Sequence, residues 1–254
     1  MSDVNFELNT ILFESTFKIE QSIGPTSAII GTTFVVGRPY PNDPTKARYV
    51  LVTAKHVLDA MPGNDAIWHL RQKDADGIWH RLPFPVRIRT NGVPSWVSHP
   101  AADVAAMYAQ LPQNTINFLL TISMFADDAV FNKFEVHPGD ELNCLGYPMG
   151  WESDSTGFPI LRSGKIASYP LYPSKDYPTF LYDFEVFDGN SGGPVFMVES
   201  NRNFAGSTHV GKIQFIAGLV SQQALHVNER LALSVVVHPD YILQTINMLP
   251  SLSP

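Results

Sequence analysis

The segment from Gly189 to Pro194 constrains this chain more than any other stretch. It reads Gly-Asn-Ser-Gly-Gly-Pro, so a single serine, Ser191, stands among glycines. Glycine has no Cβ, which lets the backbone turn sharply and approach a ligand closely. The Ser191 hydroxyl would then project into open space, and the N–H groups of Gly189 and Ser191 could point at one developing negative charge. A glycine-rich hairpin turn explains the same six residues, so the flanking segments must decide.

The sequence after Ser191 argues against an α/β-hydrolase. Residues Val195–Val198 form an apolar, partly β-branched run, which predicts a strand. The α/β-hydrolase elbow needs a helix at this point, followed by an acidic residue and then a histidine. The only aspartate beyond Ser191 is Asp240, and no histidine follows it. A glutamate-based version would have to fit into the remaining C-terminal residues, so partners of Ser191 are expected upstream.

Two upstream segments offer such partners. Tyr49–Thr53 reads as a buried strand that runs into a short helical turn containing His56, and Asp103 lies among small and apolar residues. Taken singly, His56 has a structural explanation as a core histidine, and Asp103 as a turn or cap residue. Together they give the order His, Asp, Ser, which is the chymotrypsin order, whereas subtilisin has Asp, His, Ser.

Three segments resemble trypsin-like serine peptidases: Thr53–His56, Asp103–Ala105 and Gly189–Pro194. Asn190 before the serine is similar to the bacterial HtrA/DegP-like branch. The resemblance runs from about Thr26 to Leu249, and shorter matches occur in the same order: Gly146–Pro148, Arg162–Ile166 and Gly218–Ser221.

This resemblance implies a fold and an activity. The expected fold is all-β, with two six-stranded antiparallel β-barrels and a C-terminal α-helix. The expected activity is that of a serine endopeptidase that hydrolyses peptide bonds through an acyl-enzyme. His56 would act as the base, Asp103 would orient it and Ser191 would be the nucleophile, while the N–H groups of Gly189 and Ser191 would form the oxyanion hole.

The resemblance also predicts the residues of the primary substrate pocket. They precede the serine loop or follow the cleft strand: Glu185, Phe187, Ser221, Gln222 and Gln223. Glu185 would attract a basic side chain, whereas Phe187 would restrict the pocket to small apolar side chains. Ser221 is expected to hydrogen-bond Asp103 as well.

Asn190 bears on activation. Relatives that are activated by cleavage have an aspartate before the nucleophile, which pairs with a new N-terminal ammonium. The Asn190 amide is neutral, and a buried ammonium without a counter-charge costs much free energy. We therefore predict that this switch does not operate, and that the Asn190 side chain instead hydrogen-bonds the local backbone.

The β signals, which recur from Phe17 onward, suggest one peptidase domain of two lobes. Leu8–Phe13 is compatible with a short helix or an extended arm. No stretch is left over for the PDZ domain that usually accompanies the HtrA branch. The expected boundaries are an N-terminal arm at 1–25 and a peptidase domain at 26–254, divided into lobe 1 at about 26–112, a linker at about 113–133, lobe 2 at about 134–238 and a C-terminal helix at about 239–249.

Composition limits the partners. The net charge of −7 and the absence of a basic run argue against nucleic acid as a main partner. No cofactor or metal is expected, because the histidines form no H-E-x-x-H motif and no close pair. Cys144 is the only cysteine, so no intrachain disulfide forms, and its apolar neighbours predict a buried thiol. The expected partner is a protein or peptide substrate, with a regulatory partner or an oligomer also possible.

The last expectations from the sequence concern the cellular location and the alternative functions. The N-terminus has neither a basic n-region nor a continuous apolar h-region, and no segment has transmembrane length, so a cytoplasmic location without membrane contact is predicted. Two alternatives to general proteolysis stay open. One is a catalytically silent scaffold with the same fold, and the other is a regulated protease that cuts one partner.

Overall fold

The computed structural model describes residues 7–226 and 229–251, and these are mostly in β-strands. The helices are α1 (Leu8–Ser15), α2 (Lys55–Ala60), α3 (Asp128–Lys133) and α4 (Pro239–Met248). The strands are β1 (Thr16–Ser22), β2 (Ala28–Tyr40), β3 (Asp43–Thr53), β4 (Asp65–Lys73), β5 (Trp79–Arg87), β6 (Arg89–Thr90), β7 (Val93–Pro94), β8 (Val97–Ser98), β9 (Ala105–Tyr108), β10 (Glu141–Gly146), β11 (Ile160–Ile166), β12 (Thr179–Asp183), β13 (Pro194–Phe204), β14 (Ser207–His226) and β15 (Glu229–Val237).

The first lobe is an antiparallel sheet with the order β5-β4-β1-β2-β3-β9-β8. Its β-branched and aromatic runs fill one core, in which Phe34, Leu51 and Trp68 are fully buried. The strands β6 and β7 pair only with each other. This sheet has seven strands, one more than the six expected from the sequence.

The N-terminal segment is part of the first lobe. The sequence assigned residues 1–25 to an arm outside the peptidase domain, yet β1 lies between β2 and β4 in the sheet. Its alternating residues Phe17 and Ile19 are completely buried. Of the two conformations considered for the preceding residues, the structure has the helix, α1, which buries Leu8 and Leu12. Strand pairing and burial together make this segment integral to the lobe.

The second lobe is a closed barrel with the order β10-β11-β12-β15-β14-β13. The C-terminal helix α4 lies against β14 and β9, so it contacts both lobes. Its apolar residues Ile242 and Ile246 recur at helical spacing and are buried. The predicted all-β, chymotrypsin-like fold with a C-terminal helix is therefore confirmed. Within the described ranges, no helix has both the length and the apolar character required to cross a bilayer.

Candidate active site

Strand pairing brings His56 and Asp103 together. His56 is the second residue of α2, directly after β3, and Asp103 lies two residues before β9. Since Thr53 of β3 faces Ala105 of β9, the two segments leave the sheet side by side. The His56 backbone N–H donates to Asp103 Oδ1 at 2.9 Å, and His56 Nδ1 lies 2.7 Å from Asp103 Oδ2. These two contacts fix the His56 ring through its Nδ1 and leave Nε2 without a hydrogen bond in the described part of the chain.

The second lobe supplies a third partner for Asp103. The Ser221 hydroxyl, near the end of β14 that meets the cleft, donates to Asp103 Oδ2 at 2.5 Å. Burial alone would raise the pKa of Asp103, but the hydrogen bonds from His56 and Ser221 outweigh it, so the pKa lies below its usual value. Asp103 is therefore an ionised carboxylate at neutral pH, matched to a protonated Nδ1 of His56.

The serine loop needs glycine at two positions. Gly189 and Gly192 have φ angles of +95° and +90°, in the left-handed region that other residues avoid. A Cβ on Gly189 would lie 2.1 Å from the Tyr147 carbonyl oxygen, and one on Gly192 would lie 2.0 Å from that of Thr32. The loop is held against the first lobe, because the Thr32 N–H donates to the Ser191 carbonyl at 2.9 Å. Backbone contacts between the lobes thus determine where Ser191 stands.

Ser191 and His56 line the same cleft between the lobes. Its volume is about 270 Å³, and its other lining residues are Ala28, Ile29, Ile30, Val57, Ala60, Asp188 and Gly189. In the described part of the chain, the Ser191 hydroxyl has no hydrogen bond, and neither do the N–H groups of Gly189 and Ser191. Hydrogen bonds of this kind often tighten only when substrate binds. Both N–H groups are therefore available to a ligand oxygen.

The residues predicted to line the primary pocket fall in different environments. Ser221 is buried, Phe187 is half-buried, and Glu185 and Gln222 are exposed. The side chain of Gln223 lies outside what the structure describes. Among the side chains of this set that the structure describes, only that of Ser221 hydrogen-bonds the His56–Asp103 pair.

Arg162, a charged residue next to the predicted pocket residues Glu185 and Phe187, was not assigned a role from the sequence. The Arg162 guanidinium on β11 donates from Nη1 to the Glu185 carbonyl at 2.8 Å. It also lies over the Phe187 ring, 5.3 Å from its centre. In the sequence Arg162 appeared only within a matching motif. Its proximity to the serine loop depends on barrel register, for which the local sequence carries no signal.

Asn190 behaves differently from its prediction. It is buried, with 1% of its surface exposed, and its backbone N–H donates to the Phe187 carbonyl at 3.0 Å. Its side-chain Nδ2 has no hydrogen-bond partner within the described ranges. The loop is therefore braced through the Asn190 backbone, and not by the side-chain hydrogen bond expected from the sequence.

A group with possible metal ligands lies away from the cleft. Potential ligand atoms of Asp128, His238 and Asp240 lie within 4.8 Å of one another. The Ser174 hydroxyl donates to Asp240 Oδ2 at 2.6 Å, and the Ser174 backbone N–H donates to Asp128 Oδ1 at 2.9 Å. In the structure these four residues connect α3 to the start of α4 through their own hydrogen bonds.

The two β-lobes and the cleft between them define the trypsin-like peptidase fold. A family profile described as a trypsin-like peptidase domain matches residues 31–202, which is more than half of the chain. The protein belongs to this family. No curated protein sequence gives a significant match.

Three microbial proteases are among the solved structures of similar fold. The protease Anisep from Arthrobacter nicotinovorans has 14% identity and a TM-score of 0.53, over 93% of this chain and 95% of that chain. The Rv3671c protease from M. tuberculosis, in its active form, has 19% identity and a TM-score of 0.50, over 99% and 87%. The thermostable serine protease AL20 from an extremophilic microorganism has 13% identity and a TM-score of 0.50, over 95% and 97%. At such identities the likeness concerns the fold. The assignment to the HtrA/DegP-like branch stays a prediction.

Proposed function

We propose that this protein is a serine endopeptidase that acts on protein or peptide substrates through His56, Asp103 and Ser191. The observation that carries the proposal is the hydrogen-bonded His56–Asp103 pair at a cleft that Ser191 also lines. Family membership supports the reaction class. The motif order in the sequence leads to the same three residues independently.

In this proposal the three residues act as one unit. His56 Nε2 accepts the Ser191 proton as Oγ attacks the substrate carbonyl carbon, and then returns that proton to the leaving amine. Asp103 keeps the proton on His56 Nδ1 and stabilises the imidazolium that forms. Water then attacks the acyl-enzyme with His56 as the base. The low pKa of Asp103 suits this role, since the carboxylate must stay ionised.

The unpaired N–H groups of Gly189 and Ser191 would stabilise the oxyanion in this scheme. Donors already held in place by the backbone need no reorganisation when negative charge develops, and removing one typically costs about 3–4 kcal/mol of transition-state stabilisation. Glycine at positions 189 and 192 is consistent with this role, because any side chain there would collide with neighbouring carbonyl oxygens.

Covalent labelling with a fluorophosphonate probe tests the proposal. We expect the wild-type chain to carry the adduct on Ser191 and the Ser191→Ala variant to carry none. Ser163→Ala, which removes an exposed serine on β11, should label like wild type. A chain that is folded by circular dichroism but never labels would favour the scaffold function instead. Labelling without cleavage of a general peptide library would favour a protease for one partner.

Replacing Asp103 provides a second test. Asp103→Asn should keep the fold but reduce kcat by about 10³–10⁴, because His56 would be held in the wrong tautomer. A double variant with Ser191→Ala should be no slower than Ser191→Ala alone, since the residues act together. Near-normal turnover in Asp103→Asn would show that another carboxylate orients His56.

A further inference from the structure

Arg162 occupies an unusual place for an arginine. It lies directly opposite Cys144 in the pairing of β11 with β10. Directly opposed residues of antiparallel strands project to the same face of the sheet. Cys144 is 1% exposed and belongs to the core of the second barrel. The Arg162 side chain therefore begins on the inner face of the barrel, where charged residues are rare without a partner.

The guanidinium has few partners there. Its carbon lies 4.2 Å from the centre of the Phe184 ring and 5.3 Å from that of Phe187. One hydrogen bond, from Nη1 to the Glu185 carbonyl, accounts for one of its five N–H donors. Among the described residues, no carboxylate forms an ion pair with it. Arg162 is half-buried, so the remaining donors reach the surface.

These donors lie next to the candidate active site. Phe187, which stacks on Arg162, accepts the Asn190 N–H through its carbonyl and so belongs to the serine loop. The next two residues, Asp188 and Gly189, line the cleft together with His56 and Ser191. The guanidinium thus contacts the segment that leads directly into the cleft-lining residues of the serine loop.

We propose that Arg162 forms the base of a subsite that binds a negatively charged side chain of the substrate, glutamate or aspartate, on the acyl side of the cleaved bond. This inference rests on the proposed peptidase function. The neighbouring Glu185 was expected from the sequence to attract a basic side chain instead. Its carboxylate is exposed, and only its backbone carbonyl contacts Arg162.

The geometry suits a carboxylate. The guanidinium carbon lies over the Phe184 and Phe187 rings, and only Nη1 has a hydrogen bond within the described residues. A carboxylate can bind two guanidinium donors through parallel hydrogen bonds. Exposed ion pairs contribute little, but the adjacent rings exclude part of the water and strengthen the pairing. The protein as a whole carries a net charge of −7, so acidic peptides would be recognised by this local cation and not by the overall field.

Peptide binding to the Ser191→Ala chain tests the inference without requiring turnover. Four fluorescent octapeptides would differ only at the fourth residue, which is Glu, Gln, Lys or Leu, and fluorescence polarisation would give each Kd. We expect the Glu peptide to bind about tenfold more tightly than the Gln peptide, as one charge-assisted bidentate contact would provide. Adding Arg162→Gln should abolish this ratio. Lys165→Gln removes an exposed charge from the same strand and should keep it.

The outcomes separate this inference from the proposed function. Equal binding of the Glu and Gln peptides, or a Glu preference that survives Arg162→Gln, would overturn the subsite. Preferential binding of the Lys peptide that is lost in Glu185→Gln would also overturn it, in favour of a basic-specific pocket. Failure of the peptidase proposal would be shown by a different result. The fluorophosphonate probe would not label Ser191 in the wild-type chain, whatever the ratios of the peptide Kd values.

Discussion

Two arginines, one in each lobe, lie against aromatic rings but differ in how many of their donors are used. The Arg71 guanidinium carbon is 4.4 Å from the ring centres of both Phe17 and Phe158. Arg162 has a similar aromatic environment in the second barrel. Arg71 is fully buried, and its Nη1 and Nη2 groups hydrogen-bond five acceptors, while its Nε has no partner in the described residues. Arg162 is half-buried and donates one hydrogen bond.

The Arg71 hydrogen bonds join separate parts of the chain. Its acceptors are the Tyr147 hydroxyl and the carbonyl oxygens of Phe13, Glu14, Thr16 and Gly157. Burial lowers the pKa of the Arg71 guanidinium, because desolvation disfavours its charge. The Tyr147 hydroxyl, the nearby Glu152 and Glu14 charges and four backbone carbonyl dipoles act against this cost. The residue thus connects the N-terminal segment to the loop that follows β10.

The difference indicates a division of roles. A buried cation whose donors are mostly satisfied stabilises the fold, whereas a cation with free donors beside a cleft is available to a ligand. The two sites are also connected to the candidate active site by different routes. Tyr147 contacts Arg71 through its hydroxyl, and its carbonyl oxygen faces Gly189 so closely that no Cβ would fit there. Arg162 instead contacts the segment just before Ser191.

The largest expected effect is the loss of stability on replacing Arg71. Arg71→Met removes the charge together with all five of its hydrogen bonds, and among the described residues only the Thr16 and Gly157 carbonyls keep another donor, the Tyr147 hydroxyl. The change should lower the free energy of unfolding by at least about 3 kcal/mol. Urea unfolding followed by tryptophan fluorescence measures the change. Arg87→Met removes a surface arginine of the same lobe and should unfold like wild type. A stability close to wild type in Arg71→Met would end the distinction between the two arginines.

Replacing Tyr147 tests the same network with a smaller change. Tyr147→Phe deletes a buried hydroxyl that accepts from Arg71 at 3.0 Å. One Arg71 donor would then be unsatisfied, so we expect a loss of about 1–3 kcal/mol in urea unfolding. Tyr169→Phe is the matched control, because Tyr169 is 80% exposed. Equal effects of the two variants would show that the Tyr147 hydroxyl contributes nothing to the network.

The corresponding change at Arg162 should cost little stability. Arg162→Gln loses one hydrogen bond and two aromatic contacts at a half-buried position, so we expect a decrease of about 1 kcal/mol or less. The same urea experiment measures it. A loss as large as that of Arg71→Met would mean that Arg162 serves the fold, and its role in peptide binding would need another explanation.

The smallest expected effect concerns the thiol that faces Arg162. Burial raises the pKa of Cys144 to about 12, although the nearby Arg162 charge acts in the opposite direction. The thiol should therefore stay protonated and unreactive toward iodoacetamide at mildly alkaline pH, and react only in denaturant. Mass spectrometry of the intact chain follows the adduct. Rapid alkylation of the native protein that disappears in Arg162→Gln would show that the guanidinium points into the core.

Much of the fold follows from local sequence. The β signals that recur from Phe17 onward predicted a β-rich chain, and a C-terminal helix was expected at about 239–249, where α4 lies. The candidate site residues were found because glycines around a serine, and the order His, Asp, Ser, are visible along the chain. Ser221 was expected beside Asp103 from the family resemblance alone.

Other features depended on contacts between distant residues. Alternation predicted that Phe17 and Ile19 are in a strand, but not that this strand lies in the middle of the first sheet, since its partners come from β2 and β4. A lone arginine in a strand likewise has no sequence signal for burial. The carbonyl oxygens that satisfy Arg71 come from Thr16 and from Gly157, which lie far from it in the chain.

The sequence by itself determined the β-rich class, the C-terminal helix and the identity of the candidate catalytic residues, because propensity, periodicity and motif order are local properties. Only the tertiary structure decided that Arg71 is enclosed by hydrogen-bond acceptors while Arg162 keeps free donors beside the serine loop. Strand register and the contacts between the two lobes determine which polar groups surround each side chain. Those groups determine whether a charged side chain stabilises the fold or is available to bind a ligand.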